Sequence, residues 1–171
     1  MPDLPAWTPP PAPAVSEEST ADAEAARFGS ALHRLLEWAD AAGVAQSPAR
    51  LRQAQREFGL DAQAIRRAAE MAERIVRGEA AWAWDPAVID WQANEVELHH
   101  QGAPLRLDRL VRRRDDGCWW VIDYKSALRP QDDPALVEQL RRYREAAGAA
   151  LGGGVVRAAF INGQGRWLEL A

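Results

Sequence analysis

The feature that most constrains the fold is a pair of alternating apolar segments on either side of a tight turn. Residues 105–113 and 119–125 flank Asp115-Asp116-Gly117, and their apolar residues recur with the period of two that is typical of a β-hairpin. Both faces of the predicted hairpin are apolar, so helices must cover the sheet on both sides. One face carries Leu107, Val111, Trp120 and Ile122, and the other carries Leu110, Trp119 and Val121.

Helical and extended segments surround the hairpin. Helical spacing of apolar residues predicts helices over 21–43, 48–58 and, with Asp61 as its N-cap, up to Gly78. Further strands are predicted over 91–99, 155–161 and 166–170, with a helix over 134–147 before the last two. We therefore predict an α/β fold, in which a helical N-terminal part precedes a central mixed β-sheet flanked by helices.

The length of 171 residues is typical of one domain. Residues 1–20 contain six prolines together with Ser, Thr and acidic residues, a composition that predicts a disordered linker. We place the domain at residues 21–171. The start of the chain lacks the features of a secretory signal, and no apolar run approaches the roughly 18 residues that a membrane span needs. These observations predict a cytoplasmic protein without a membrane partner.

Composition narrows the possible cofactors. The single cysteine, Cys118, excludes an intrachain disulfide, a multi-cysteine zinc site and a cysteine-ligated iron–sulfur cluster. No GxxxxGK[ST] loop occurs, so no nucleotide site of that type is expected. The net charge of −4 argues against nonspecific coating of nucleic acid, although ten basic residues fall between positions 106 and 144. Any metal ion would need oxygen or imidazole ligands.

Lys125 is the only lysine among 21 basic residues. A compact ammonium can contact a water molecule or a phosphate as a point charge, which a guanidinium does less well. The position therefore suggests a chemical role, although a single lysine could also stand there by chance.

The hairpin turn decides which side chains oppose Asp108. A two-residue loop at Asp115-Asp116 sets Asp108 opposite Asp123, and a loop shifted by one residue sets it opposite Lys125. Either register puts Asp108, Asp123 and Lys125 on one face, because side chains alternate along a strand. Two carboxylates beside an ammonium suit Mg²⁺ or Mn²⁺ and hydrolysis of a phosphodiester. The alternative is a purely structural Asp–Lys pair at the end of a strand.

Several short motifs resemble one family in their order and spacing. Leu105–Leu110 and Trp119–Ser126 resemble the catalytic hairpin of RecB-like and AddA-like PD-(D/E)XK nuclease domains, found at the C-terminus of UvrD-type helicases. Gly29–His33 is similar to the family's GxxxH helix motif, Glu95–Leu98 to its acidic strand, and Gln139–Tyr143 to its QxxxY helix. Ala159-Phe160 and Gly165 resemble its closing strands.

The resemblance implies a restriction-endonuclease-like fold and a role for each matching residue. It implies that Asp108, Asp123 and Lys125 are catalytic and that His33, Asp108, Asp123 and the Tyr124 backbone carbonyl bind metal. It implies site support from Glu95 and Gly29, and DNA binding by Gln139, Tyr143 and Arg142. Other interpretations remain open: His33 and Tyr143 could be core residues, and Glu95 could lie on a solvated strand face. Trp82 and Trp84 could dock a helicase or fill the core.

The implied function is a Mg²⁺- or Mn²⁺-dependent deoxyribonuclease of exonuclease type, acting on single-stranded DNA or DNA ends in recombination and repair. Its implied partners are DNA and a UvrD-type helicase motor. One alternative is a catalytically inactive nuclease-like module that binds DNA or supports a helicase. A second is a scaffold without nucleic acid, which the net acidity favours.

Overall fold

The computed structural model of the protein describes residues 17–40, Gly43 and residues 47–171, with side chains from Thr20 onward. The helices are α1 (Glu17–Glu37), α2 (Pro48–Phe58), α3 (Ala62–Arg77) and α4 (Pro134–Ala150). The strands are β1 (Ile89–His100), β2 (Ala103–Arg113), β3 (Trp119–Lys125), β4 (Val156–Asn162) and β5 (Trp167–Glu169). Short 3₁₀ helices cover Ala81–Trp84 and Pro130–Asp132.

The predicted elements are present, and α1 differs most from its prediction. It begins at Glu17, so the last four residues of the predicted linker are helical, and residues 1–16 lie outside the described residues. It ends at Glu37 rather than near Gly43, because Asp40 and Gly43 form an isolated antiparallel bridge that turns the chain. Gly43 has φ of 115°, which a helix cannot accommodate. The predicted N-cap is confirmed, since the Asp61 carboxylate accepts the Ala64 N–H at 2.7 Å.

The five strands form one mixed sheet in the order β1-β2-β3-β4-β5. Only β3 and β4 run parallel, and the crossover between them contains α4. The other neighbouring strands are antiparallel. This sheet between helices has the restriction-endonuclease-like α/β architecture that the resemblance implies.

Helices cover both faces of the sheet, as the apolar hairpin predicts. On one face α1, α2 and α3 pack against Val111, Trp120 and Ile122. On the other face α4 packs through Leu140 and Ala147, which belong to a second hydrophobic cluster that we call the α4 core. Two separate hydrophobic cores therefore hold the central strands.

Leu107 is the exception to the predicted alternation, and its assignment to the Val111 face is wrong. It is fully buried in the α4 core together with Leu110 and Val121. The regular pairing of β1 with β2 is interrupted beside Leu107, where Glu95 has φ of 50°. An irregularity of this kind breaks the strict alternation of side chains across a sheet.

The tryptophans near the first 3₁₀ helix belong to the core. Trp84 is buried, and the half-buried Trp82 packs edge-on against Trp120 and Trp167. Packing therefore accounts for both residues without a helicase surface. Among the described residues, no helix is both long enough and apolar enough to span a bilayer.

Candidate active site

The site begins where strands β2 and β3 separate. Their pairing ends at Arg109 and Ile122, in the register expected from a turn at Asp115-Asp116. Asp108 lies just beyond the last pair on β2. Its side-chain carboxylate, rather than a backbone carbonyl of β2, accepts the Tyr124 N–H at 2.8 Å. The side chain of Asp108 is thus fixed at the point where the sheet opens.

The neighbouring strand β1 is irregular at the same level. Asn94 pairs with Arg109 and Val96 with Leu107, but the intervening Glu95 has a left-handed φ of 50°. Few residues other than glycine adopt this conformation without help from their surroundings. The irregular backbone brings the Glu95 carboxylate towards Asp108.

Three potential metal ligands converge here. His33 from α1, Glu95 from β1 and Asp108 from β2 each offer a ligand atom, and these atoms lie within 4.8 Å of one another. All three side chains are partly accessible, so a small ion can reach them. Glu95, which the sequence indicates only as a supporting residue, is therefore a full member of this His33–Glu95–Asp108 cluster.

The contacts of His33 define its tautomer. Its Nε2 lies 3.2 Å from the backbone carbonyl of Tyr124, which can only accept a hydrogen bond. Nε2 must therefore carry the proton, and in the neutral ring the lone pair of Nδ1 faces Asp108 Oδ1 at 3.4 Å. Burial lowers the pKa of His33, which favours this neutral form.

The pKa of Asp108 is shifted in the opposite direction from that of His33. Burial and then the negative charge of Asp123 raise the pKa of Asp108 well above its usual value. The hydrogen bond from Tyr124 N–H and the charge of Lys125 lower the same pKa by less. Without a further cation, burial and the charge of Asp123 therefore favour the protonated form of Asp108.

Asp123 and Lys125 form the second part of the site. Lys125 Nζ lies 2.7 Å from Asp123 Oδ2, but the contact is a close ion pair rather than a well-aligned hydrogen bond. The Asp123 side chain is only 3% exposed, whereas that of Lys125 is 22% exposed. Asp123 is not among the ligand atoms of the His33–Glu95–Asp108 cluster. Its negative charge nevertheless affects the cluster, because it raises the pKa of Asp108.

A cleft of about 700 Å³ opens beside these groups. His33, Glu95, Lys125 and Gly29 line it. A Cβ added at Gly29 would meet no atom within 4 Å, so close packing inside the protein does not explain this glycine. Gly29 instead stands on the wall of the open cleft.

Arg106 also lines the cleft and was not identified from the sequence as a site residue. Its Nε lies 2.8 Å from Glu95 Oε2, and its side chain is 67% exposed. A cation bound at Glu95 would compete with this ion pair. Arg106 would then be free to contact an anionic ligand in the cleft.

Helix α4 carries the predicted DNA-binding residues. Gln139 and Arg142 are exposed, and Tyr143 is half-buried against the α4 core. Burial, followed by the negative charges of Asp123 and Asp108, raises the pKa of Tyr143. Tyr143 is therefore both a packing residue and a neighbour of the acidic site, and none of these three residues lines the main cleft.

Arg109 is one of the ten basic residues between positions 106 and 144, but its side chain does not lie on the surface. Its side chain is 1% exposed, so it cannot contact DNA from the surface. Other basic residues between positions 106 and 144 are paired with acids, as Arg113 is with Asp115 and Arg129 with Asp132. The sequence contains a signal for the burial of Arg109, because it occupies an inward position of β2 two residues before Val111.

The donor set fits a hard divalent cation. Two carboxylates and one imidazole converge in a partly accessible cleft, and the Tyr124 carbonyl beside them has a second lone pair. Oxygen-rich ligand sets of this kind suit Mg²⁺ or Mn²⁺. The raised pKa of Asp108, caused by burial and by the charge of Asp123, also fits, because a cation would stabilise the ionised carboxylate.

Comparison with known proteins agrees with this geometry. A search of curated proteins found no match. A comparison with protein families matches residues 12–166 to the PD-(D/E)XK nuclease superfamily, so the match includes the cleft, the hairpin and α4. The chain therefore belongs to the PD-(D/E)XK nuclease superfamily.

Proposed function

We propose that this domain is a divalent-metal-dependent deoxyribonuclease that hydrolyses phosphodiester bonds. The observation that carries the proposal is the convergence of His33, Glu95 and Asp108 within 4.8 Å, in an open cleft that Lys125 also lines. A structural Asp123–Lys125 pair alone would not require three converging ligands from separate elements. The membership of the chain in a nuclease superfamily supports the same chemistry.

Each ligand has a defined part in holding the ion. Asp108 and Glu95 would supply carboxylate oxygens, and His33 would supply the Nδ1 lone pair that faces Asp108. Asp123 and the Tyr124 carbonyl complete the proposed ligand set. When bound, Mg²⁺ or Mn²⁺ lowers the pKa of a coordinated water and polarises the phosphate.

Lys125 would act on the reacting groups directly. Its ammonium carries a positive charge in the cleft, next to the buried carboxylate of Asp123. Asp123 holds the ammonium in place, and Lys125 can then orient the attacking water or stabilise negative charge on the phosphate. Replacement of either residue should therefore slow the chemical step.

The substrate is proposed to be single-stranded DNA or a DNA end. Gln139 and Arg142 are exposed on α4 and can contact phosphates, while Tyr143 can donate a hydrogen bond or stack on a base. The open space over Gly29 leaves room for a strand beside His33. By its motifs, the domain would be RecB-like or AddA-like and would cut DNA as an exonuclease, with strands supplied by a UvrD-type helicase in recombination and repair.

The test is cleavage of labelled single-stranded DNA by purified protein with Mg²⁺ or Mn²⁺. Asp123→Ala and Lys125→Ala should each abolish activity. Glu95→Gln and Glu97→Gln form a matched pair, because both glutamates line the cleft and stand two residues apart on β1, but only Glu95 belongs to the ligand cluster. We expect activity to fall in Glu95→Gln and to persist in Glu97→Gln. Cleavage that is absent from the wild type, or that survives both Asp123→Ala and Lys125→Ala, would refute the proposal.

A further inference from the structure

We propose that Arg109 is a positioning residue: with Asn94, it fixes the three chain segments that carry His33, Glu95 and Asp108. This inference rests on the proposed metal-dependent function and extends it to residues behind the cleft. Arg109 does not line the cleft, so its action would pass through its neighbours.

The guanidinium of Arg109 is fully buried and held by neutral acceptors. It donates to Asn94 Oδ1 and to the Ala83 carbonyl, both at 2.7 Å, and also to Gln92 Oε1. The ring of Trp84 lies 4.8 Å from its central carbon. None of its hydrogen-bond partners in the described part of the chain is a carboxylate.

Such burial is not an efficient way to stabilise a fold. A cation without a carboxylate partner loses its hydration, and burial accordingly lowers the pKa of Arg109. An apolar residue at this position would suit the core of Val111 and Ile122 better. The arginine therefore calls for an explanation other than stability.

The network reaches the segment of every cluster member. Arg109 directly follows Asp108 on β2, and Asn94 directly precedes Glu95 on β1. Asn94 uses its other amide atom to donate to the Glu37 carbonyl at 3.2 Å. Glu37 stands one helical turn after His33 on α1, so one side chain connects the helix to both strands.

The network would hold the backbone of Glu95 in an unfavourable conformation. Its φ of 50° is unfavourable for a residue with a Cβ, so the segment would relax unless its surroundings hold it. Asn94 is held on both sides, by Arg109 and by the Glu37 carbonyl. Loss of the network should therefore displace the Glu95 carboxylate from the other two ligands.

The test measures metal affinity rather than activity. Arg109→Met keeps much of the side-chain volume but removes the donors, and Asn94→Ala removes the link to α1. Val111→Ala is the matched control, because Val111 lies on the same strand, is fully buried and belongs to the same core. Mn²⁺ binding would be measured by calorimetry at a temperature where circular dichroism shows that each variant is folded.

We expect Arg109→Met and Asn94→Ala to weaken Mn²⁺ binding by about 10-fold or more, as the loss of outer-shell partners typically does. Val111→Ala should lower the melting temperature but keep the wild-type affinity. Mn²⁺ binding should also be weak in Arg109→Lys, because an ammonium restores the positive charge but not the planar group of donors that reaches three acceptors.

The outcomes separate this inference from the proposed function. Wild-type affinity in folded Arg109→Met or Asn94→Ala would overturn the positioning role while leaving the metal site intact. If the Arg109 variants do not fold, Asn94→Ala decides the question. A wild-type protein that binds no Mn²⁺ would refute the proposed function, and the inference with it.

Discussion

Addition of Mn²⁺ should stabilise the metal-free protein, and Asp108→Asn should remove this effect. The cluster joins α1, β1 and β2, so an ion bound there would connect three elements of the folded state that separate on unfolding. An asparagine at position 108 can still accept the Tyr124 N–H that Asp108 now accepts at 2.8 Å. Its amide can also donate to His33 Nδ1, which lies 3.4 Å from Asp108 Oδ1. The substitution therefore removes the charge and retains the local contacts.

The size of the effect follows from linkage. An ion that binds only the folded state contributes about 2.7 kcal/mol at a concentration 100 times its Kd. For a domain of this length, each kcal/mol corresponds to roughly 2–4 °C in the melting temperature. We therefore expect a rise of about 5–11 °C for the wild type and little change for Asp108→Asn.

The pH dependence of the metal-free protein gives a second readout. Burial and the charge of Asp123 raise the pKa of Asp108, so the folded state holds this proton more tightly than the unfolded chain. The resulting stability is fully present below about pH 4, the ordinary value for aspartate, and is lost as the pH rises through the raised pKa. Without metal at neutral pH, Asp108→Asn should consequently be more stable than the wild type.

The assay is thermal unfolding monitored by circular dichroism between pH 4 and pH 8, with chelator or with Mn²⁺. Glu97→Gln is the control, because it removes a carboxylate from the cleft wall outside the ligand cluster. An equal Mn²⁺-induced rise in the wild type and in Asp108→Asn would contradict the assignment of Asp108 as a ligand. A metal-free Asp108→Asn protein that is less stable than the wild type at neutral pH would contradict the account of its buried charge.

Three further predictions concern the cationic residues. Lys125→Met should reduce the cleavage rate, measured by single-turnover kinetics, by about 10²–10⁴-fold. Its Mn²⁺ affinity, measured by calorimetry, should stay within a few-fold of the wild type. A parallel loss of cleavage and of Mn²⁺ binding would point to a structural role for Lys125. Arg106→Ala should strengthen Mn²⁺ binding, because it frees the Glu95 carboxylate from the ion pair at 2.8 Å, and unchanged or weaker binding would exclude this competition. Arg142→Ala should reduce the slope of DNA affinity against salt concentration by about one, whereas Arg66→Ala, on the exposed face of α3, should not change it.

The hairpin shows how much of the structure the local sequence pattern predicts. Period-two alternation predicts the strand Trp119–Lys125 to the residue, and the turn chemistry limits Asp108 to two registers on one face. Both observations depend on residues close together in the chain, where side-chain direction follows directly from backbone geometry. The covered sheet follows from the same pattern, because apolar residues on both faces of a strand require two helical layers.

Other features depend on contacts between residues far apart in the chain. The sequence places Leu107 on the wrong face, because alternation fails beside the irregular backbone of Glu95. It indicates Glu95 only as a supporting residue, since the distance from Glu95 to His33 is set by the packing of α1 against the sheet. It does not single out Arg109 among the ten basic residues between positions 106 and 144, because the partners that bind its guanidinium lie 15–26 residues away in the chain.

The amino-acid sequence by itself determines the elements, the layers and the acidic and basic groups at the mouth of the hairpin, because periodicity and turn chemistry are local properties. Only the tertiary structure decides which of those groups meet: it brings ligand atoms of His33, Glu95 and Asp108 within 4.8 Å of one another and buries Asp123 beside Lys125. The physical reason is that burial and distance depend on how α1, β1 and β2 pack together. A pattern along one chain does not specify that packing.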